Sequence, residues 1–335
     1  MSCDGISLLV RNGGGRMDLK IFDKLSRTKI IVIGDVMLDR YIWGKVERIS
    51  PEAPVPVVRA LKKTYSLGGA ANVANNLKGL GSNPILIGVK GTDTKGKLLS
   101  DLLAEKGIVS ELLTISERPT TTKTRIMAQH QQLLRIDEEE TNALTTEQED
   151  KIFNICQKNL SKCHAVILSD YGKGVLKGEL CKRIIALTRS HSIPVLVDPK
   201  GTNWIRYKGA TCITPNEKEF AQFTGKPFRD KEELKQHALD TIQKLDLEYL
   251  LVTRGAKGMF LIGKDGNNYT IHAKAKEVFD VSGAGDTVIA TLTACVAAGE
   301  NWISAAKIAN ITAGIVVGKL GTQPIEKQEL KEIVV

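Results

Sequence analysis

The residues Asp280-Val281-Ser282-Gly283-Ala284-Gly285-Asp286-Thr287 carry the most specific chemistry in the chain. Small and apolar residues follow from Val288 to Ala298, enough for a buried helix, so Gly283 to Asp286 would form its first turn. The first N–H groups of a helix lack internal partners and lie at the positive end of its dipole. Two glycines clear side chains from those N–H groups, which makes an anion site. A site built only to hold a phosphate gains nothing from an adjacent carboxylate. Asp286 makes sense there if it takes a proton from a group attacking that phosphate.

Other segments supply polar groups of matching kinds. Asn216 and Glu219, spaced N-x-x-E after a short apolar run, suit either a magnesium ion held through water or the cap of a helix. Thr253-Arg254-Gly255-x-Lys257-Gly258 offers hydroxyl, guanidinium and amide donors for a polyphosphate, without the Walker A spacing. Paired glycines open Gly68-Gly69-Ala70-Ala71-Asn72, where tiny side chains allow close approach and Asn72 both donates and accepts. Asp35 and Asp39 follow the run KIIVIG and read either as acceptors for the hydroxyls of a polyol or as loop caps. Arg48, Arg125, Arg135, Lys173 and Lys200 lie on or beside these segments, and any of them suits a substrate phosphate.

The elements needed to bring these groups together read as an α/β domain. Apolar runs at 29–34, 85–89, 165–168, 194–197, 212–214 and 249–252 alternate with helical stretches at 96–106, 146–160, 178–191 and 231–244. That alternation predicts a mainly parallel sheet with helices on both faces. Polar, glycine-rich segments fall at the carboxyl ends of these strands, where open α/β sheets bind ligands. A hairpin is predicted around Asp265-Gly266, and two closing helices at 286–298 and 302–319. Segments 41–65 and 118–136 break the pattern. They are β-rich, the first carries Pro51, Pro54 and Pro56, and they predict a small exposed sheet acting as a lid. Residues 1–28, with the run Gly13-Gly14-Gly15, read as a partly disordered extension, and 324–335 as a tail.

Composition excludes several classes. The chain has 335 residues, 42% of them hydrophobic, with a net charge of +9 spread along its length, so nucleic-acid binding is not expected. No apolar stretch is long enough for a membrane span, and no signal peptide is recognisable. The six cysteines show no metal-binding or disulfide spacing, which predicts reduced thiols and a cytoplasmic protein. The dinucleotide fingerprint G-x-G-x-x-G is missing after the first strand, which argues against a nicotinamide enzyme.

From about Lys29 to Gln323 the chain resembles the ribokinase-like, PfkB-type carbohydrate kinases. Both signatures of that family are present, as Gly68-Gly69-Ala70-Ala71-Asn72 and as Asp280 to Asp286, with Asn216-x-x-Glu219 and Thr253-Arg254-Gly255 between them in order. The resemblance implies a three-layer α/β/α fold with a protruding β-sheet lid, spanning 29–323. It implies that Asp286 is the catalytic base and that the amides of Gly283, Ala284, Gly285 and Asp286 hold the transferring phosphoryl group. It assigns Asp35, Asp39, Gly68, Gly69, Asn72, Arg135, Asp170 and Lys173 to the sugar. Thr253, Gly255, Lys257, Gly258 and Asn310 fall to ATP, and Asn216 and Glu219 to ATP and its Mg²⁺. Gly34 to Tyr41, Arg48 to Val57, Leu134 to Asp137, Asp170 to Gly174 and Asp198 to Gly201 narrow the resemblance to one branch. Its members phosphorylate a heptose 7-phosphate at the anomeric oxygen for lipopolysaccharide core, in many bacteria fused to a nucleotidyltransferase. The end of the chain at Val335 predicts the kinase alone, and the exposed lid predicts a homodimer.

Overall fold

The computed structural model describes residues 21–129, 131–273, 279–319 and 321–334. Its centre is β1 (Lys29–Gly34), whose side chains enter two different interiors. Ile30 and Val32 join one apolar layer, Ile31 and Ile33 the other. A strand buried on both faces needs no polar alternation, hence the unbroken run of branched residues. Parallel to β1 run β4 (Asn83–Lys90) and β5 (Val109–Thr114) on one side. On the other lie β8 (Ala165–Ser169), β9 (Val195–Asp198), β10 (Cys212–Ile213) and β11 (Tyr249–Thr253). The hairpin β12 (Met259–Gly263) and β13 (Asn268–Ile271) closes the far edge antiparallel. Among the described residues the order is β13-β12-β11-β10-β9-β8-β1-β4-β5.

Helices cover both faces. On one lie α1 (Ile21–Arg27), α2 (Ala70–Gly79), α3 (Thr94–Glu105), α8 (Ala284–Ala297), α9 (Trp302–Val316) and α10 (Lys327–Val334), contributing Phe22, Leu77, Leu99, Ile289, Ile308 and Leu330. The other carries α4 (Thr146–Leu160), α5 (Leu180–Ser190), α6 (Glu217–Thr224) and α7 (Lys231–Leu245), with Ile152, Ile184, Phe220 and Leu234. The three-layer architecture agrees with the expectation.

Both ends carry structure that the sequence did not announce. Residues 21–27, expected within a partly disordered extension, form α1 with Ile21, Phe22 and Leu25 buried; residues 1–20 lie outside the described residues. The expected tail packs too, through Ile325 and Leu330. Both helices are short, and a two-turn apolar spacing gives little periodic signal. Strand β5 escaped the sequence reading for a related reason: its residues are half-buried or exposed, as befits an edge.

A second sheet has the order β3-β2-β6-β7, from β2 (Val36–Ile49), β3 (Pro56–Gly69), β6 (Thr122–Ala128) and β7 (Gln131–Glu138). Its strands run past the segments expected at 41–65 and 118–136, to Val36 and Gly69 on one side and Glu138 on the other, and only Asp35 separates β2 from β1. The prolines sit where a ladder does not need their missing N–H, at the turn and at the start of β3. Register assigns the faces. Asp39 stands opposite Ser66 and Lys123, Tyr41 opposite Thr64 and Arg125, and Arg125 opposite Arg135. This face turns to the main domain, since Ser66 and Thr322 hydroxyls meet at 3.0 Å. The opposite face carries Ile42, Tyr65, Ile126, Leu134 and Ile136. No helix among the described residues is long and apolar enough to cross a membrane.

Candidate active site

Gly283 caps α8 in the left-handed region, at φ 82. A Cβ there would lie 2.8 Å from the Asn72 amide nitrogen, so glycine is needed for both conformation and space. Thr287 is the first residue to bond back within α8, to Gly283 at 3.0 Å, and the Ala284 N–H is taken by Val281 at 3.2 Å. The free amides of the first turn are therefore those of Gly285 and Asp286. Gly285 is exposed and faces open space, in a cleft lined also by Tyr171, Asp198, Lys200, Asn216 and Thr253.

The Asp286 carboxyl is buried at 4% exposure. Asn72 donates to its Oδ2 at 2.7 Å, and the Tyr171 hydroxyl donates to its Oδ1. Burial pushes its pKa up to about 6, against the pull of these two hydrogen bonds; Asp39 adds to the rise and Lys123 opposes it. A carboxyl poised there is mostly ionised at neutral pH yet basic enough to accept a proton. Asn72 is itself fixed from α2. Asn76 donates to the Asn72 carbonyl at 2.9 Å and accepts from Thr287 at 3.0 Å and from the Ile325 N–H at 3.2 Å. One buried amide thus ties α2, α8 and the C-terminal segment together.

The predicted sugar residues divide into three groups. Asp39, Gly68, Gly69 and Asn72 lie together near Asp286, where β2, β3 and α2 meet. Asp39 receives the Arg125 guanidinium at 2.6 Å, and a Cβ on Gly68 would stand 2.6 Å from its other oxygen. Gly69 caps α2. Asp35 and Asp170 are buried but turned to backbone and protein partners. Asp35 accepts N–H groups of Tyr171, Lys173 and Val175 at 2.8, 2.9 and 3.1 Å. Its pKa is raised all the same, by burial and then by Asp170. Asp170 accepts from the Gly172 N–H at 2.7 Å, the Tyr207 hydroxyl at 2.7 Å and Arg206 at 2.9 Å. Between them they shape the loop that presents Tyr171. Lys173 pairs with Glu139 at 2.6 Å, and exposed Arg135 forms a fork with Asp137 at 2.9 and 3.0 Å.

The nucleotide and metal candidates also resolve. Asn216 and Glu219 form a reciprocal capping box on α6, at 2.9 and 3.2 Å, while the other Glu219 oxygen meets Lys200 at 2.7 Å. The helix-cap alternative therefore holds in this conformation. Another oxygen donor nearby is Asp198, which the sequence reading did not assign. Burial raises its pKa well above the ordinary value, and Asp286 and Glu219 raise it further. Thr253, half-buried, borders the cleft, and exposed Gly255 has open space beside it. Lys257 pairs with Glu217 at 3.3 Å. Gly258, at φ 86, makes the turn between β11 and β12, where a Cβ would collide with the Ile271 carbonyl. Asn310 on α9 donates to the His272 carbonyl at 2.9 Å.

Tyr171, Asn76, Asp198 and Lys123 are residues that sequence reasoning left without roles. Tyr171 was visible as part of the Asp170 to Gly174 segment, but its reach to Asp286, 115 positions away, exists only in the fold.

The model for pfkB family carbohydrate kinases matches residues 27–328. A D-beta-D-heptose 7-phosphate kinase of Bordetella bronchiseptica is 47% identical over 311 residues, covering 92% of this chain and 96% of that protein. The bifunctional protein HldE of Desulfatibacillum aliphaticivorans is 44% identical over 315 residues, 94% of this chain. The chain spans 64% of the length of that relative. Among solved structures, phosphofructokinase-2 of Escherichia coli superposes with a TM-score of 0.76 at 17% identity, over 92% of this chain and 98% of that one. An Arabidopsis thaliana ribokinase complexed with ribose and ATP gives 0.73 at 19%, covering 92% and 98%.

Proposed function

The chain belongs to the pfkB family of carbohydrate kinases, and from that premise we propose that it phosphorylates D-glycero-beta-D-manno-heptose 7-phosphate at O1, using ATP, to give the 1,7-bisphosphate. The observation that carries the chemistry is the buried Asp286 carboxyl, held by Asn72 and Tyr171 beside the open amides of α8. The likeness to a heptose 7-phosphate kinase supports the choice of sugar.

In this reading Asp286 takes the proton of the anomeric hydroxyl as its oxygen attacks the γ-phosphorus. The bond from that phosphorus to the β–γ bridging oxygen breaks, and ADP leaves. The N–H groups of Gly285 and Asp286 receive charge on the transferring phosphoryl oxygens, without reorganisation, because the helix already aims them. Asn72 and Tyr171 keep the carboxylate aligned while it is ionised. Thr253, Gly255, Lys257 and Asn310 line the proposed path of the nucleotide. A magnesium ion fits the donor set: Asp198 and Glu219 repel one another across the cleft, and a cation would relieve them. Bound there with the nucleotide, it would neutralise phosphate charge. Asp198, with Glu219 and Asn216, would hold it through water.

We also propose a homodimer through the outer face of the lid, supported by exposed Leu134 and Ile136 at 53% and 45%. A cytoplasmic location is supported by the five free thiols among the described residues, and recovery in a membrane or secreted fraction would refute it. The test of the reaction is ADP release with Mg·ATP and a panel of heptose 7-phosphate, unphosphorylated heptose, fructose 6-phosphate, ribose and adenosine. Efficient turnover is expected for heptose 7-phosphate alone, with unphosphorylated heptose a weak substrate. Turnover on ribose or fructose 6-phosphate alone would discard the heptose assignment, and no turnover on any would discard the kinase.

A further inference from the structure

Cationic side chains near the sugar end of the cleft are mostly paired already. Arg125 is on Asp39 at 2.6 Å, Arg135 on Asp137 at 2.9 Å, Lys173 on Glu139 at 2.6 Å and Lys200 on Glu219 at 2.7 Å. Lys123 is different. It is half-buried, and among the described residues no carboxylate lies within 4.0 Å of its ammonium. Its nitrogen stands over the Tyr171 ring, 5.5 Å from the centroid. The hydroxyl of that same ring holds Asp286. The charges that act on Lys123 are the carboxylates Asp39 and Asp137, each already paired with an arginine, and the cations Lys173 and Arg135. Burial lowers its pKa, the mark of an ammonium short of a counter-charge.

Strand register explains the placement. Lys123 is opposite Asp39 on one side and Asp137 on the other, on the face turned to the main domain. A half-buried cation without a partner is costly, and an anionic ligand removes that cost. Tyr171 lies between the two groups, its ring under the Lys123 ammonium and its hydroxyl on the Asp286 carboxyl. A substrate whose hydroxyl meets Asp286 therefore presents its far end to Lys123.

We propose that Lys123 is the residue that selects a phosphorylated sugar, binding the substrate's own phosphate, with Lys173 and Arg135 as its neighbours. This rests on the kinase reading and deepens it. The alternative is that Lys123 acts on the transferring phosphoryl group or on Asp286. That alternative slows every sugar alike, whereas phosphate selection affects only sugars that carry a phosphate.

The experiment measures kcat and KM for heptose 7-phosphate and for unphosphorylated heptose in wild type, K123M and K123Q. Methionine keeps the stem of lysine and its packing on Tyr171; glutamine covers the case in which methionine does not fold. Loss of one hydrogen bond to a charged group predicts a kcat/KM about 10–100-fold lower for heptose 7-phosphate, mainly through KM. At pH 8, above the Asp286 pKa of about 6, the change for unphosphorylated heptose is expected to stay below about threefold on the same basis, with KM for ATP unchanged. Equal losses on both sugars would overturn the assignment. Calorimetric binding of the two sugars without nucleotide tests Lys123 apart from turnover. Wild type is expected to bind the phosphorylated sugar more tightly and K123M to bind both alike. An unchanged preference in K123M, or no preference in wild type, would overturn it. Turnover of fructose 6-phosphate instead of heptose 7-phosphate would sink the heptose reading, and the same comparison on that sugar and its unphosphorylated form would still decide Lys123.

Discussion

The two sheets of this protein are built on opposite terms. The central sheet is buried on both faces, so β1 shows Ile30, Ile31, Val32 and Ile33 at 0% exposure and no polar side chain between them. The lid sheet has one face of charged and hydroxyl groups over the cleft and another of partly exposed apolar groups. The base at the head of α8 depends on the first sheet, because α8 packs on β8 and β9. Cations that would read the substrate depend on the second. A chemistry common to many sugar kinases can thus stay fixed while the lid changes which sugar is accepted.

The sharpest separation of the two comes from Asp286→Asn. Removing a general base should lower kcat by about 10²–10⁴-fold. A fall of less than about threefold, with folding intact, would remove Asp286 from that role. Stability should move the other way. The folded-state pKa of Asp286 is raised, so its ionisation opposes folding progressively from pH 3.8 to about 6 and fully above that. At pH 8 the asparagine variant is therefore expected to melt at or above the wild-type temperature. A lower Tm would mean that the carboxylate holds the site together rather than straining it.

Next in size is the contrast in packing. Ile31→Ala empties a fully enclosed position in β1 and should destabilise by about 2–5 kcal/mol in denaturant unfolding. Ile126→Ala, at a half-buried position in β6, should lose less than half as much. Equal losses would mean that the lid is as well packed as the centre. The outer lid face is tested with Leu134→Asp. Light scattering is expected to give a dimer for wild type and a monomer for the variant, since a charge cannot be buried unpaired in an apolar interface. A wild-type monomer would refute the interface.

What the sequence showed follows the same division. Runs such as Ala165–Leu168 and Tyr249–Val252 declare central strands because every residue in them is apolar, and the first turn of α8 announces itself through its glycines and Asp286. Polar residues in the cleft were much harder to assign, because type alone does not say which partner a group has found. Asp35 looked like a sugar ligand, yet its oxygens are occupied by amides 136 to 140 positions away. Glu219 fits a metal or a cap equally well until Lys200 and the Asn216 N–H are seen on it. Lys123 and Arg135 are both basic residues in β-rich segments; the register sets Lys123 opposite Asp137, yet that carboxylate is taken by Arg135 two positions away on its own strand.

The smallest expected effect is the most specific to how the two regions meet. Tyr171 belongs to the loop after β8, in the central sheet, but its ring lies under Lys123 of the lid. Its hydroxyl lowers the pKa of Asp286 by stabilising the ionised form. Tyr171→Phe keeps the ring and removes that donor, so the Asp286 pKa should rise above about 6. Loss of a hydrogen bond to a charged group, about 1.5–3 kcal/mol, corresponds to an upward move of about 1–2 pH units. In wild type kcat/KM should fall tenfold per unit below about pH 6, because the base must be deprotonated. In the variant that limb should move upward, so that rates differ by about tenfold at pH 6 and converge towards pH 9. A limb that stays in place with a uniformly lower rate would mean that Tyr171 orients the substrate or Lys123 and leaves the basicity of Asp286 to burial alone. A limb that moves, with the preference for phosphorylated sugar intact, would assign Tyr171 to the base and Lys123 to the phosphate, one residue for each region of the molecule.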